Sequence, residues 1–196
     1  ARAANLYYPN TLKNSISEKG NAVYKLDQMA PLNGIEHGDA HSAIADVIAT
    51  LGIAKIILNK APNVWKASKL TTNKDETLKL IKNEMYFCTN EYFYGKSRPF
   101  VQTFVCQHPK YQWAKCFDLK VDPNIYLKMN IETLKESMTK KPKFLRTIKH
   151  NKHPIIMNPS YGAEFDEYKI LGSKKLQERA SLIKNNKDFA EKISFI

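Results

Sequence analysis

No apolar run in the 196 residues is long enough to cross a bilayer. The longest candidate, residues 43–58, is interrupted by Asp46, Thr50 and Lys55, so a membrane-spanning role is excluded. Cysteine is scarce: Cys88, Cys106 and Cys116 are odd in number and too widely spaced for a zinc knuckle. They read as buried free thiols of a reducing compartment, the cytoplasm. The opening "ARAANLYYPN" lacks the apolar core of a signal peptide. Internal repeats and low-complexity tracts are also missing. Acidic residues are few, 19 against 31 Lys and Arg, for a net charge of +12. That excess is uneven. Residues 1–62 hold six Lys/Arg against five Asp/Glu, and residues 63–196 hold twenty-five against fourteen. A basic body suits polyanions, because each neutralised phosphate releases a counterion, and it equally suits a lysine-rich solvated surface.

What is present describes a globular chain with a real core: 43% hydrophobic and 11% aromatic residues. Residues 1–8 read as a helix tail ended by Pro9, and residues 10–22 as a polar surface loop. "VYKLDQMAPLNG" reads as a short helix closed by Gly34. The strong element follows over residues 40–59, with Asp39 as cap. Ile44, Val47, Ile48 and Leu51 fall at i, i+3, i+4 and i+7, one apolar face. Asp46 lies opposite, among Ser42, Ala49, Thr50 and Ile53. A helix apolar on one side and small on the other is expected to be covered on both, which would bury Asp46.

Pro62 starts a new regime. Residues 73–83 read as a lysine-rich helix, and residues 85–121 as three strands, "MYFCTNEYFY", "FVQTFVCQH" and "QWAKCFDLKV". Turn signals at roughly ten-residue spacing predict a meander closing into a small barrel. "NIETLKESMTK" is a helix capped by Asn130, and "FLRTIKHN" with "HPIIM" returns to the barrel as a further hairpin. The last segment is helical, with Ser173 as cap and Leu176, Ala180, Ile183 and Phe189 as its face. The fold class is therefore α+β, divided at 1–62, 63–172 and 173–196.

His41-x-x-x-x-Asp46 at a helix start is a spacing at which a histidine can deprotonate water beside a metal-holding carboxylate. Its wider setting, "YKLDQMAPLNGIEHGDAHSAIADVIATLGIAKIIL", resembles the corresponding block of the exodeoxyribonuclease I family, DEDDh 3′→5′ exonucleases. The block carries Asn-Gly-Ile-Glu-His, Ala-His, Ala-Asp-Val and Ala-Thr as that family does. Thinner similarity continues at His108-Pro109, Asp118-Leu119 and "NKHPII", which resemble the family's SH3-like domain, and at "LGSKKLQERASLIKNN", which resembles its link to a helical domain.

The resemblance implies the tail of a ribonuclease-H-like α/β domain, then an SH3-like barrel and the start of a helical domain. It makes His41 the general base and Asp46 a ligand of a two-Mg2+ site. Lys25 becomes a phosphate contact, and Glu36 and His37 orient the loop. The family also needs an Asp-x-Glu and a further Asp, and no Asp-x-Glu occurs in this sequence. Those motifs are expected upstream of Ala1, and the chain by itself is expected to be inactive.

Residues 139–153, "TKKPKFLRTIKHNKH", hold six Lys/Arg and two His with no acid, and Phe144 between them. Lys140, Lys141, Lys143, Arg146, Lys149 and Lys152 suit single-stranded DNA through phosphate contacts and stacking, or a solvated loop. His150-x-x-His153 has ligand spacing only on a helix, which Pro154 opposes. The aromatics from Tyr86 to Phe100 read mainly as barrel core. Three functions compete: a stretch of a Mg2+-dependent single-strand exonuclease, a non-catalytic single-stranded-DNA-binding module, and an interaction module. The last would hold an acidic protein tail; the resemblance implies that of single-stranded-DNA-binding protein.

Overall fold

A computed structural model of the chain describes residues 1–36 and 42–196. These form two compact units, Ala1–Ala67 with Asn90–Arg98, and Ser68–Thr89 with Pro99–Ile196.

The first unit contains α1 (Arg2–Tyr7), α2 (Leu26–Leu32), α3 (Ala43–Lys60) and the start of α4 (Pro62–Leu70). Two asparagines organise the loop between α1 and α2. Asn5 accepts from the Leu12 N–H at 2.8 Å and donates to the Leu12 carbonyl at 2.9 Å. Asn33 does the same for Lys13, so backbone groups that no ladder pairs are satisfied by side chains. Leu12, Met29 and Ile53 form the core, with Tyr24, Leu26 and Ile35 packed against them. The Arg2 guanidinium lies 3.9 Å from the Tyr92 ring centroid, a cation–π contact.

Helix α3 occupies nearly the expected span, but only one of the two sides expected to be covered is buried, the small one. Ala45, Ala49 and Ile53 are buried, whereas Ile44, Val47, Ile48 and Leu51 are exposed, Ile44 to 75%. Small side chains let α2 and the Ile35 segment approach closely. At Gly52 an added Cβ would sit 2.8 Å from the Ile35 side chain. Asp46, expected to be buried, is exposed. Ser42 caps the helix, its hydroxyl accepting from the Ala45 N–H at 3.1 Å. The expected cap, Asp39, lies outside the described residues, as do His37 and His41.

The second unit is mixed helix and sheet. Helix α5 (Lys74–Asn83), capped by Asn73, leads into β1 (Phe87–Phe93), β2 (Lys96–Gln107) and β3 (Ala114–Asp118). Helix α6 (Ile131–Thr139) is capped by Asn130 as expected. Then come β4 (Leu145–Ile148) and β5 (Ile156–Met157). One-turn helices α7 (Ser160–Ala163) and α8 (Asp166–Lys169) precede α9 (Gly172–Lys184) and α10 (Lys187–Phe195). Tyr94 and Gly95, in the Asn90–Arg98 hairpin tip that belongs to the first unit, join β1 to β2 with φ of 50° and 75°, the two left-handed residues of a tight primed turn.

The three expected strands are consecutive, β2 and β3 antiparallel, within an open five-stranded sheet ordered β4-β3-β2-β1-β5. β4 and β5 do not pair with each other as the expected hairpin. β4 adds to β3 and β5 to β1, at opposite edges. The seven residues from Lys149 to Ile155, with a 3₁₀ turn at His150–Lys152 and left-handed His153, make the crossing. Both faces of the sheet are covered. Cys116, Ala114 and Phe87 pack with Ile81 of α5. On the opposite side Phe117 meets Phe144, Tyr126 and Phe189 of α10. The C-terminal segment is two helices, capped at Asn186. Ser173 does not cap the first, whose N-cap is Leu171. Leu176, Ala180, Ile183 and Phe189 are buried as expected.

Candidate nucleic-acid interface

The two halves of the expected catalytic pair differ in what can be described. His41 lies outside the described residues; Asp46 stands exposed in the first turn of α3. Among the described residues no group of three or more His, Cys, Asp or Glu is placed to hold a metal ion. Mg2+ takes near-octahedral oxygen coordination, and a two-metal site needs several carboxylates. The described residues around Asp46 do not meet that requirement. Lys25 is exposed at the N-terminus of α2, beside Ser15, Ser17, Lys19 and Gln28, which line the same open surface cleft.

The basic segment divides into two kinds of residue. Lys140, Lys141, Lys143, Lys149 and Lys152 are exposed. Lys140 is 3.9 Å from Glu136, a solvent-screened pair worth little. Arg146 is different. It lies on β4 with its guanidinium 3.7 Å from the Phe100 centroid and its Nε 3.8 Å from Asp118 Oδ2. Its charge therefore serves the interior of the unit. Phe144, expected to interleave as a stacking group, is 1% exposed and stacks on Tyr126 at 4.0 Å. It is core: Phe144 immediately precedes β4, its carbonyl accepts from the Asp118 N–H at 2.8 Å, and its ring packs 5.7 Å from that of Phe117, whereas Lys143 is exposed. His150 and His153 fall on the 3₁₀ turn and its left-handed end, and His153 Nδ1 lies 3.0 Å from the Thr71 carbonyl.

Asp118 is the buried acid of this region. Burial pushes its carboxyl above the usual range, opposed by Lys120, by the Tyr168 hydroxyl donating at 2.8 Å, by the Lys120 N–H and by Arg146. The Tyr168 phenol is pushed up in turn by burial and by Asp118. Arg179, buried on α9, donates to the carbonyls of Leu119 and Lys120 at 2.8 Å each. This network ties β3 to the C-terminal helices.

Two residues that sequence reasoning passed over stand beside Lys149. Tyr111 and Trp113 stack with centroids 4.6 Å apart, and the Lys149 ammonium is 4.3 Å from the Trp113 centroid. The available signal was "HPKYQW", two aromatics in a turn with no acid nearby.

Comparison with known proteins places this geometry. No family model matches the chain. Exodeoxyribonuclease I of Haemophilus influenzae is 32% identical over 80 residues, 41% of this chain and 17% of that protein. The Escherichia coli K12 enzyme is 34% identical over 65 residues, 33% of this chain and 14% of that protein. Among solved structures, exonuclease I of Methylocaldum szegediense superposes with a TM-score of 0.72 at 22% identity, over 98% of this chain and 44% of that one. E. coli exonuclease I in complex with a dA16 oligonucleotide gives 0.68 at 20% identity, over 99% and 44%. An ExoI/SSB-Ct complex gives 0.67 at 20% identity, over 98% and 44%. The chain thus spans less than half the length of the proteins it matches. In sequence over about two fifths of its length, and in fold along nearly all of it, the chain is similar to one stretch of exodeoxyribonuclease I.

Proposed function

We propose that this chain is the stretch of a 3′→5′ single-strand DNA exonuclease that carries its third-motif helix and its DNA-path domain. Residues 1–62 correspond to the later part of the exonuclease domain, residues 63–172 to the SH3-like domain and residues 173–196 to the start of the helical one. The open sheet of the second unit is then the counterpart of a small SH3-like barrel. The observation carrying the reading is the fold likeness to exonuclease I along 98–99% of the chain. In a complete site His41 would deprotonate the attacking water and Asp46 would hold a catalytic Mg2+, as the resemblance implies. Neither role is assigned to the chain alone, among whose described residues no cluster of three or more His, Cys, Asp or Glu is placed to hold a metal. The free cysteines suit a cytoplasmic protein, and among the described residues no helix is long and apolar enough to cross a membrane.

The activity open to the chain itself is binding. Lys140, Lys141, Lys143, Lys149 and Lys152 present exposed charge in a run without acids, and phosphate contacts need no catalytic site. A non-catalytic module that holds single-stranded DNA is therefore the second reading, favoured by the same surface. Replacing Lys140, Lys141 and Lys143 with alanine should flatten the slope of log K against log salt by roughly two units, about 0.7 per contact on single strands. Unchanged affinity and slope would move the DNA path to Lys25 and the first unit. The same lysines are where an acidic tail such as SSB-Ct would bind, and a tail peptide should compete with the oligonucleotide.

A further inference from the structure

We propose that Tyr111 and Trp113, flanked by Lys110 and Lys149, form a nucleobase-stacking site for single-stranded polynucleotide at the end of the β2–β3 hairpin. The proposal rests on the single-strand-binding reading above and adds a site for the bases, where the lysine run addresses only phosphates.

The site follows from strand register. Gln107 pairs with Ala114 and Ala114 with Ile148. One step further along both ladders, His108 lies opposite Trp113, its N–H donating to the Trp113 carbonyl at 2.8 Å. The same step places Trp113 opposite Lys149, whose ammonium sits 4.3 Å from the indole centroid. The four residues between His108 and Trp113 close the hairpin and bring Tyr111 back onto the indole, with an interplanar angle of 17°.

This turn is held by its own polar groups. His108 Nδ1 accepts from the N–H of Lys110 at 3.1 Å and of Tyr111 at 3.2 Å. The Gln112 N–H donates to the His108 carbonyl at 2.8 Å, and its side-chain amide donates to the Pro109 carbonyl at 2.7 Å. Gln112 itself takes the left-handed conformation, φ 57°. The Tyr111 ring is thus fixed before any ligand arrives, which lowers the ordering cost of binding.

Exposure separates this pair from the aromatic core. Phe117, Phe144 and Phe189 are buried, whereas Tyr111 is 50% exposed and Trp113 half-buried. A half-exposed ring held at a fixed orientation, here with the His108 ring 4.8 Å from that of Tyr111, is what an unpaired base stacks on, whatever its identity. Electrostatics select the same ligand. Residues 92–117 carry four Lys/Arg and residues 137–163 carry six, and neither segment contains an acid. The Lys110 ammonium is 5.5 Å from the Tyr111 centroid, so cations flank the stack at both ends. Bases would meet the rings while the phosphates on either side meet Lys110 and Lys149.

The test uses the full chain with Trp65→Phe, which leaves Trp113 as the sole indole reporter. Binding is titrated with oligodeoxythymidylate and with an abasic strand of equal phosphate number. The expected result is quenching of Trp113 by the thymidylate strand, weaker or absent with the abasic one. Tyr111→Ala should weaken thymidylate binding on the order of 5- to 100-fold, leave the salt slope unchanged and leave abasic binding unaltered, and Tyr111→Phe should restore it. Equal loss on both strands would make Tyr111 a packing residue and overturn the stacking site. Wild-type binding by Tyr111→Ala would overturn it as well, while leaving the lysine-based reading intact. No binding of either strand by the parent chain at low salt would overturn both readings.

Discussion

Asp118 shows how far one residue's chemistry depends on its neighbours. Its side chain is fully buried, 0% exposed, with Lys120 and Arg146 each 3.8 Å from Oδ2. Burial nevertheless dominates and holds the carboxyl above its ordinary value. The folded chain then binds this proton more tightly than the unfolded chain does. The group's contribution to stability is greatest below the usual carboxylate range, about pH 4, and falls as pH rises from there through the folded value. Asp118→Asn keeps an acceptor for the Tyr168 hydroxyl and removes the titration. Urea unfolding at a series of pH values should therefore show the variant gaining on the wild type as pH rises through that interval. A pH-independent difference would mean that the carboxyl titrates normally. None of this was readable from "FDLK", because an aspartate after a strand is ordinarily a solvated turn residue. Arg179 was hidden similarly, one cation among many on a polar helix until the fold put two carbonyls against it.

At the scale of elements, capping and turn signals transferred well. Asn73, Asn130 and Asn186 accept from first-turn N–H groups; of these Asn130 was the expected cap, while the expected Ser173 cap is replaced by Leu171. These signals act within a few residues, so sequence carries them. Helix α3 shows the limit. Periodicity correctly predicted a helix with two dissimilar sides, and could not say which side the rest of the chain would meet. The structure buries the small side. Ile48→Lys and Leu51→Lys should accordingly change the stability of this chain by no more than about 0.5 kcal/mol. Ala49→Leu, at a position with 0% exposure, should cost about 1–3 kcal/mol by overpacking against the α2 side. The reverse ranking in denaturant unfolding would mean that the apolar side is the covered one. Strand order failed for a related reason: β4 and β5 look like a hairpin in sequence, yet each completes a different edge.

For the whole molecule, the decisive fact is how much of a catalytic centre the chain holds. Among the described residues no cluster of His, Cys, Asp or Glu completes a two-metal site with Asp46, so the chain incubated with Mg2+ and single-stranded DNA should release no mononucleotides. Steady metal-dependent release that disappears in His41→Ala would overturn that expectation, and chromatography of the products would show it. The sequence by itself determined the α+β class, the helix after the His-Ala-Ser-rich block, the strand-rich middle, the basic run and the likeness to exodeoxyribonuclease I. All of these reside in local pattern: periodicity, caps, turns and charge along the chain. Only the tertiary structure decided which lysines stay in solvent, that Arg146 and Phe144 turn inward, and that Tyr111, Trp113 and Lys149 meet. Those outcomes depend on strand register, which brings residues more than thirty positions apart into contact and leaves no trace in either segment alone.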